Sequence, residues 1–376
     1  MLGLGLGLAR QTLLSRIIDA NLVPVIDFTQ WYNVPQSPMA STTTDTFTNS
    51  GTGYIQLDIG AEAGKTYTIS IDQTRGAGTL LIYLASEQGV TQANQVYGLE
   101  GGAETIDLVA DGPYLTFRAS VGNTTTTVTS LRVVERDLDA ELRALINSLY
   151  GQGQAGAFYI PKPEVLGSQV LFQDSAGTTP VTADGDPVGL MLDVSGNGLH
   201  LSQGLSSAKP TYRSSGGYSW LSFDGVDDSI MAQTPQSISV PYSISTSVAV
   251  TSNDTRVSSS TSDLNGQLVM RDNSYRIYNG AFLILFDTFT TENPHVVSAV
   301  FDGAASSISV SRGDDTGSVS GDSGAATSLS AIALGYRASG STSYAAMDMY
   351  GYALTDYEMS ESQAGAVREF YEGISP

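Results

Sequence analysis

In KTYTISID, residues 65–72, Tyr67, Ile69 and Ile71 alternate with Thr66, Thr68 and Ser70. Only an extended chain places such a set on two opposite faces, one apolar and one hydroxylated. The same two-residue period returns in YLTFRAS, with Leu115, Phe117 and Ala119 inward, and in TVTSLRVVE at 127–135. TLLIYLA, apolar almost throughout, reads as a more deeply buried strand. Forty glycines, 19 Tyr, 11 Phe and only 15% charged residues fit pleated, half-buried surfaces punctuated by tight turns. The chain reads as all-β, and its short strands between Gly- and Asn-rich turns predict β-sandwiches or jelly rolls.

Helical periodicity interrupts this pattern in few places. Leu13, Leu14, Ile17 and Ile18 share one face of a helix expected at about 9–20, with Pro24 marking its limit. In RDLDAELRALINSLY, Leu138, Leu142, Leu145 and Leu149 are spaced 4, 3 and 4 apart, with Ile146 beside them. That stripe suits a helix laid on a neighbouring sheet, or a short self-associating bundle. GQGQAG at 151–156 reads as a linker. SESQAGAVREFYEG predicts a last helix with Ala366, Val367 and Phe370 inward. The expected organisation is a strand–helix anchor over 1–22, a β-sandwich over 23–136, a helix and linker over 137–156, and a jelly roll over 157–376.

The chain opens with MLGLGLGL, where Leu2, Leu4, Leu6 and Leu8 alternate with Gly3, Gly5 and Gly7. It lacks the cationic start and long apolar run of a secretory signal, and position 2 excludes the myristoylation pattern. Extended, it would present four leucines on one face and bare backbone on the other, a shape suited to pairing with a partner's sheet edge. Completing a strand of the protein's own first domain is the other reading.

With no cysteine, neither disulfides nor thiolate metal sites are available. Net charge is −21 with only 17 Lys+Arg, so no cationic cluster is present to meet nucleic acid or an anionic membrane. No apolar run has the length of a membrane span.

Two histidines, His200 and His295, leave little material for a Ser-His-Asp triad, and His295 reads as the start of a strand. No glutamate after residue 151 belongs to an E-x-D-x-x-E strand of the kind that pairs an acid with a nucleophile. The expected class is therefore not an enzyme, with polysaccharide hydrolysis the least favoured function. LMLDVSGNGLHLSQ and YSWLSFDGVDDSI are dense in turn residues. Asp193 with Asn197, or Asp224 with Asp227 and Asp228, could offer oxygen ligands to Ca²⁺, though plain Asp-Gly turns are the favoured reading. Tyr212, Tyr218, Trp220 and Tyr336, with Tyr344 and Tyr350, could present flat faces to a glycan or serve as core and cross-strand pairs.

The ordered set of DVSGNG, FDGVDD, the hairpin entering Asp302-Gly303 and ALTDYE at 353–358 resembles the laminin-G-like, concanavalin-A-like jelly roll. The loop continues with Leu199-His200, and Tyr352 stands where that family often has Arg, so the resemblance implies a fold and not a shared ligand. The stretch from Phe158 to Asp193 resembles the lead-in of tailed-phage structural proteins. GKTYTISID with YLTFRASVGNTTTTVTSLRVVE is similar to carbohydrate-binding-module-like jelly rolls of phage virions. These resemblances imply a virion structural protein, a head or neck/tail fibre or decoration protein made in the host cytoplasm. Its first 20 residues would dock to other virion proteins through Leu2, Leu4, Leu6, Leu8, Leu13, Leu14, Ile17 and Ile18. It would assemble as a homo-oligomer, with a trimer favoured through the leucine stripe at 138–149. The alternative is a receptor-binding, lectin-like protein for a host-surface glycan, with no cofactor unless Ca²⁺.

Overall fold

The computed structural model describes residues 54–76, 80–89, 93–119, 123–250, 254–259, 266–271, 274–286, 293–312, 315–325, 328–337 and 343–376, plus the backbone of three short strands within 32–50. Residues 1–31, and with them the predicted docking strand and first helix, lie outside the described residues. The chain is all-β, with two helices among the described residues: α1 (Leu138–Tyr150) and α2 (Glu361–Glu372). It divides into two compact units, 1–138 and 139–376.

The first unit holds two five-stranded antiparallel sheets. Tyr54–Asp58, Tyr114–Ala119 and Leu80–Ala85 are neighbours in one; Asn123–Glu135, Thr66–Arg75 and Gly102–Val109 are neighbours in the other. Their inward residues form one cluster that includes Ile55, Tyr67, Ile69, Ile71, Ile82, Leu84, Leu115, Phe117 and Leu131. On the opposite face of the same strands, the buried Gln56 amide donates to the Thr116 hydroxyl at 3.0 Å. Thr116 in turn donates to the Tyr114 carbonyl at 3.3 Å, and Gln56 Oε1 accepts the Gly89 amide at 2.7 Å, so this polar face is paired.

The second unit is built on an eight-stranded and a nine-stranded antiparallel sheet. In the first, the strands run in the order Thr211–Ser215, Tyr218–Asp224, Ala346–Thr355, Tyr242–Val250, His295–Phe301, Ser306–Arg312 and Asp315–Gly321; Gly156–Tyr159 joins the far end of Ala346–Thr355. Polar ties cross between the two sheets. One is the Tyr275 hydroxyl meeting His295 Nδ1 at 2.8 Å, and another is Tyr242 donating to Asn279 Oδ1 at 3.4 Å. His295 is thus the buried first residue of a strand, as its sequence context predicts.

On its outer face this sheet is floored by small residues, and α2 packs there. A Cβ on Gly351 would fall 2.3 Å from the Tyr371 ring, so only glycine admits the helix at this depth. Ser360 caps α2 in a reciprocal capping box with Gln363. Val367, Phe370 and Tyr371 turn inward, and Phe158 meets both aromatic rings, at 6.1 and 5.6 Å. Ala366, expected inward, is exposed, because the 364–367–371 stripe leaves position 366 about 100° to one side.

α1 belongs to this unit. Leu142, Leu145 and Leu149 are buried within the single chain and Leu138 is half-buried. The Tyr150 hydroxyl reaches the carbonyls of Ala157 (2.8 Å) and Leu354 (2.9 Å), while Gln363 and Tyr357 donate to the carbonyls of Ser148 and Leu149. These ties and the burial of Leu142, Leu145 and Leu149 anchor the leucine stripe within its own unit. The stretch 151–156 is no free linker either, since Gly156 opens a strand opposite Thr355.

Candidate functional site

Along Tyr218–Asp224, Ser219, Leu221 and Phe223 are buried, so Tyr218, Trp220 and Ser222 face outward. The pairing register puts Arg213 opposite Trp220 on one side, and Ser222 opposite Asp348 on the other. Trp220 and Tyr350 lie with ring centroids 5.7 Å apart and planes inclined by 35°. Tyr350 is only 5% exposed and backs the more open indole.

Asp348 sits half-buried in this patch. Burial pushes its carboxyl above the ordinary range, while hydrogen bonding by the Ser222 and Trp220 side chains and the Arg213 charge act the other way. Burial, reinforced by the Asp348 charge, also raises the Tyr350 phenol well above its usual value, so it remains a neutral hydroxyl. Arg213 is held from behind: Asp184 pairs with its Nε at 3.3 Å and accepts the Ser214 amide at 2.9 Å. One aromatic face, one carboxylate, one guanidinium and one hydroxyl thus share a single outward patch. Such a set can stack on an apolar ring face and exchange hydrogen bonds around its edge.

Of the six aromatics the sequence offers, Tyr218, Trp220 and Tyr350 lie on this face. Tyr212 does not; it pairs with inward Leu221 and is 7% exposed. Tyr336 belongs to a separate two-stranded hairpin, 5.3 Å from Tyr344. Arg213 and Asp348 were not selected. The signal for Asp348 is its alternation with Tyr350 between Met347 and Met349, a polar and aromatic set facing away from two methionines.

The acidic loops separate into two kinds. Asp193 accepts the amides of Phe158 (2.9 Å), Ser195 (2.9 Å) and Leu199 (3.2 Å) and the Ser195 hydroxyl (2.8 Å). Asn197 donates to the carbonyls of Gln154 and Gly156. Both residues therefore pin the loop to the strand entry, which is the turn role. Asp224, Asp227 and Asp228 differ, since one carboxylate oxygen from each lies within 4.8 Å of the other two. Asp228 accepts the Asp224 amide at 2.9 Å. Burial, reinforced by the two neighbouring carboxylates, pushes its carboxyl up to about 6. Asp224 itself accepts the amides of Val226 and Asp227, an Asp-Gly turn closing on its own backbone.

The chain matches no protein-family model and no curated protein. Among solved structures it is similar to the ligand-binding domain of botulinum neurotoxin serotype D in complex with N-acetylneuraminic acid, at 13% identity and a TM-score of 0.41 over 61% of this chain and 52% of that one. A Trypanosoma rangeli sialidase gives 10% identity and a TM-score of 0.40 over 92% and 56%. A GH54 α-L-arabinofuranosidase variant gives 11% and 0.38 over 50% and 51%. The match therefore spans about half the length of each of these proteins.

Proposed function

We propose that the second unit is a non-catalytic saccharide-binding module whose contact surface is the Trp220 face. The observation that carries this reading is the outward Trp220 ring, backed by Tyr350 and bordered by Asp348, Ser222 and Arg213. A pyranose has an apolar C–H face and a rim of hydroxyls. The indole supplies a flat apolar partner, Asp348 accepts from two hydroxyls, and Arg213 donates to ring or hydroxyl oxygens. On a phage particle, such a module would be the displayed end and residues 1–20 the docking end.

The chain has two tryptophans, Trp31 and Trp220. Full-length Trp31→Phe, applied to an array of oligosaccharides, makes Trp220 the sole reporter of a bound sugar. The expected result is a fluorescence shift on saturation, with affinity weakened about tenfold in Asp348→Asn and unchanged in Tyr212→Phe, and no binding by calorimetry in Trp220→Ala, which keeps no tryptophan to report. No binding anywhere on the array, or undiminished binding by Trp220→Ala, would overturn the assignment. Release of reducing sugar from any bound oligosaccharide would overturn its non-catalytic part.

A further inference from the structure

Beyond α2 the outer face of the eight-stranded sheet changes character. The register lines up Ser245, Ser298, Ser309 and Ser318 across four adjacent strands. The row above is Ser247, Val296, Ser311 and Thr316; the row below is Ser243, Val300, Ser307 and Ser320. Ten of these twelve positions carry a hydroxyl. Neighbouring strands lie about 4.8 Å apart, so each row is an evenly stepped line of hydroxyls. α2 covers the Tyr242–Val250 end and leaves Ser309, Thr316, Ser318 and Ser320 exposed.

Where the helix meets this floor there is a groove of about 360 Å³, walled by Glu361, Ala364, Gly365 and Arg368 of α2. The hydroxyls of Ser298, Ser309, Ser311, Thr316 and Ser318 are on its floor. Ser298 is bonded to Ser245, and Ser311 donates to Glu372 Oε1 at 2.7 Å. Among the described residues, no partner in the chain is recorded for the side chains of Ser309, Thr316, Ser318, Glu361 or Arg368. Arg368 is half-buried in the wall with five N–H donors in a planar fork, in a chain that otherwise has more than twice as many acids as bases. Glu361 lies seven residues earlier on the same helix face, about 10 Å along the axis.

We infer that this groove is a second binding site, separate from the Trp220 face, for a short acidic saccharide. The sugar's carboxylate would take the Arg368 fork, and its hydroxyls would lie on the serine–threonine floor and against Glu361. The fork matches a carboxylate in a bidentate way that a neutral hydroxyl pair does not reproduce. The floor holds donors and acceptors at once, both of which a polyol uses, whereas a simple anion uses only the donors. The groove has the volume of a small-ligand site.

Full-length protein titrated calorimetrically with cellobiouronic acid, cellobiose and acetate tests this directly. Cellobiouronic acid is expected to bind about tenfold or more tighter than cellobiose, with acetate weaker than either. Arg368→Gln should erase the difference between the two disaccharides, and Ser309→Val with Ser318→Val should weaken both. Trp220→Ala should leave the preference for the acid intact, which separates this site from the one proposed above. Equal affinity for the two disaccharides, retention of the preference by Arg368→Gln, binding of acetate as tightly as the disaccharide, or no binding of either sugar would each overturn the inference. A circular-dichroism melt of each variant, matching the parent, excludes misfolding as the cause of a loss.

Discussion

Asp228 shows what a single residue contributes when its charge is only partly compensated. It is 6% exposed, faces Asp224 and Asp227, and accepts one amide. Its folded carboxyl is raised from 3.8 to about 6, so the folded state binds a proton that the unfolded state releases at lower pH. Stability linked to this group is therefore present below about 3.8 and is lost as pH rises through about 6. Asp228→Asn keeps an acceptor for the Asp224 amide and removes the charge. It should raise the melting temperature at pH 8, with the gain shrinking as pH falls below 6 and gone near 3.5; an unchanged or lower melting temperature at pH 8 would refute the account. The sequence exposed this cluster because its members are neighbours in the chain. Trp220 was visible in the same way, as an aromatic alternating with Leu221 and Phe223. Arg213 and Asp348 were not, since they reach Trp220 only through the pairing of strands that lie 126 residues apart in the case of Ser222 and Asp348.

At the scale of elements, alternation showed which segments are strands but not where they slip. Val128, Leu131 and Val133 are all buried, a spacing of three then two, because the register shifts between Val128 and Ser130. Thr129 fills the step by donating to the Asp72 carbonyl at 3.0 Å. A second shift, between Ser247 and Val248, lets Met349 and Tyr352 both face inward while Tyr350 turns out to Trp220. Bulges carry no mark in a single sequence, so the aromatic face they create was legible only in part. The leucine stripe of α1 had two possible partners, and only tertiary structure decides between a sheet and another helix. Gly156 marks that docking locally, with φ of +136° and no room for a Cβ, which would lie 1.9 Å from the Leu354 carbonyl oxygen. Leu145→Ala should lower the unfolding free energy of the second unit by about 2–5 kcal/mol in urea titration. A change in sedimentation at an unchanged midpoint would instead show that the stripe holds subunits together.

At the scale of the whole molecule, the position of α1 decides where the chain can be divided. Each unit has its own buried core, and the boundary falls between Leu138 and Asp139, at the first residue of the helix rather than after its last. A fragment of residues 139–376 retains every hydrogen bond that ties α1 to Ala157, Leu354, Tyr357 and Gln363. A fragment of residues 151–376 loses them together with Leu142, Leu145, Leu149 and Tyr150. It also uncovers the floor those side chains shielded, and burial of each large apolar side chain is worth about 1.5–3 kcal/mol. Allowing for relaxation, a net loss of even about 3 kcal/mol lowers the melting temperature of a unit this size by roughly 6–12 °C. The longer fragment should therefore melt cooperatively with intact near-ultraviolet circular dichroism, and the shorter one should melt at least about 6 °C lower or fail to fold. Equal melting temperatures for the two fragments would mean that α1 adds nothing to the second unit, and the leucine stripe would again need a partner outside it.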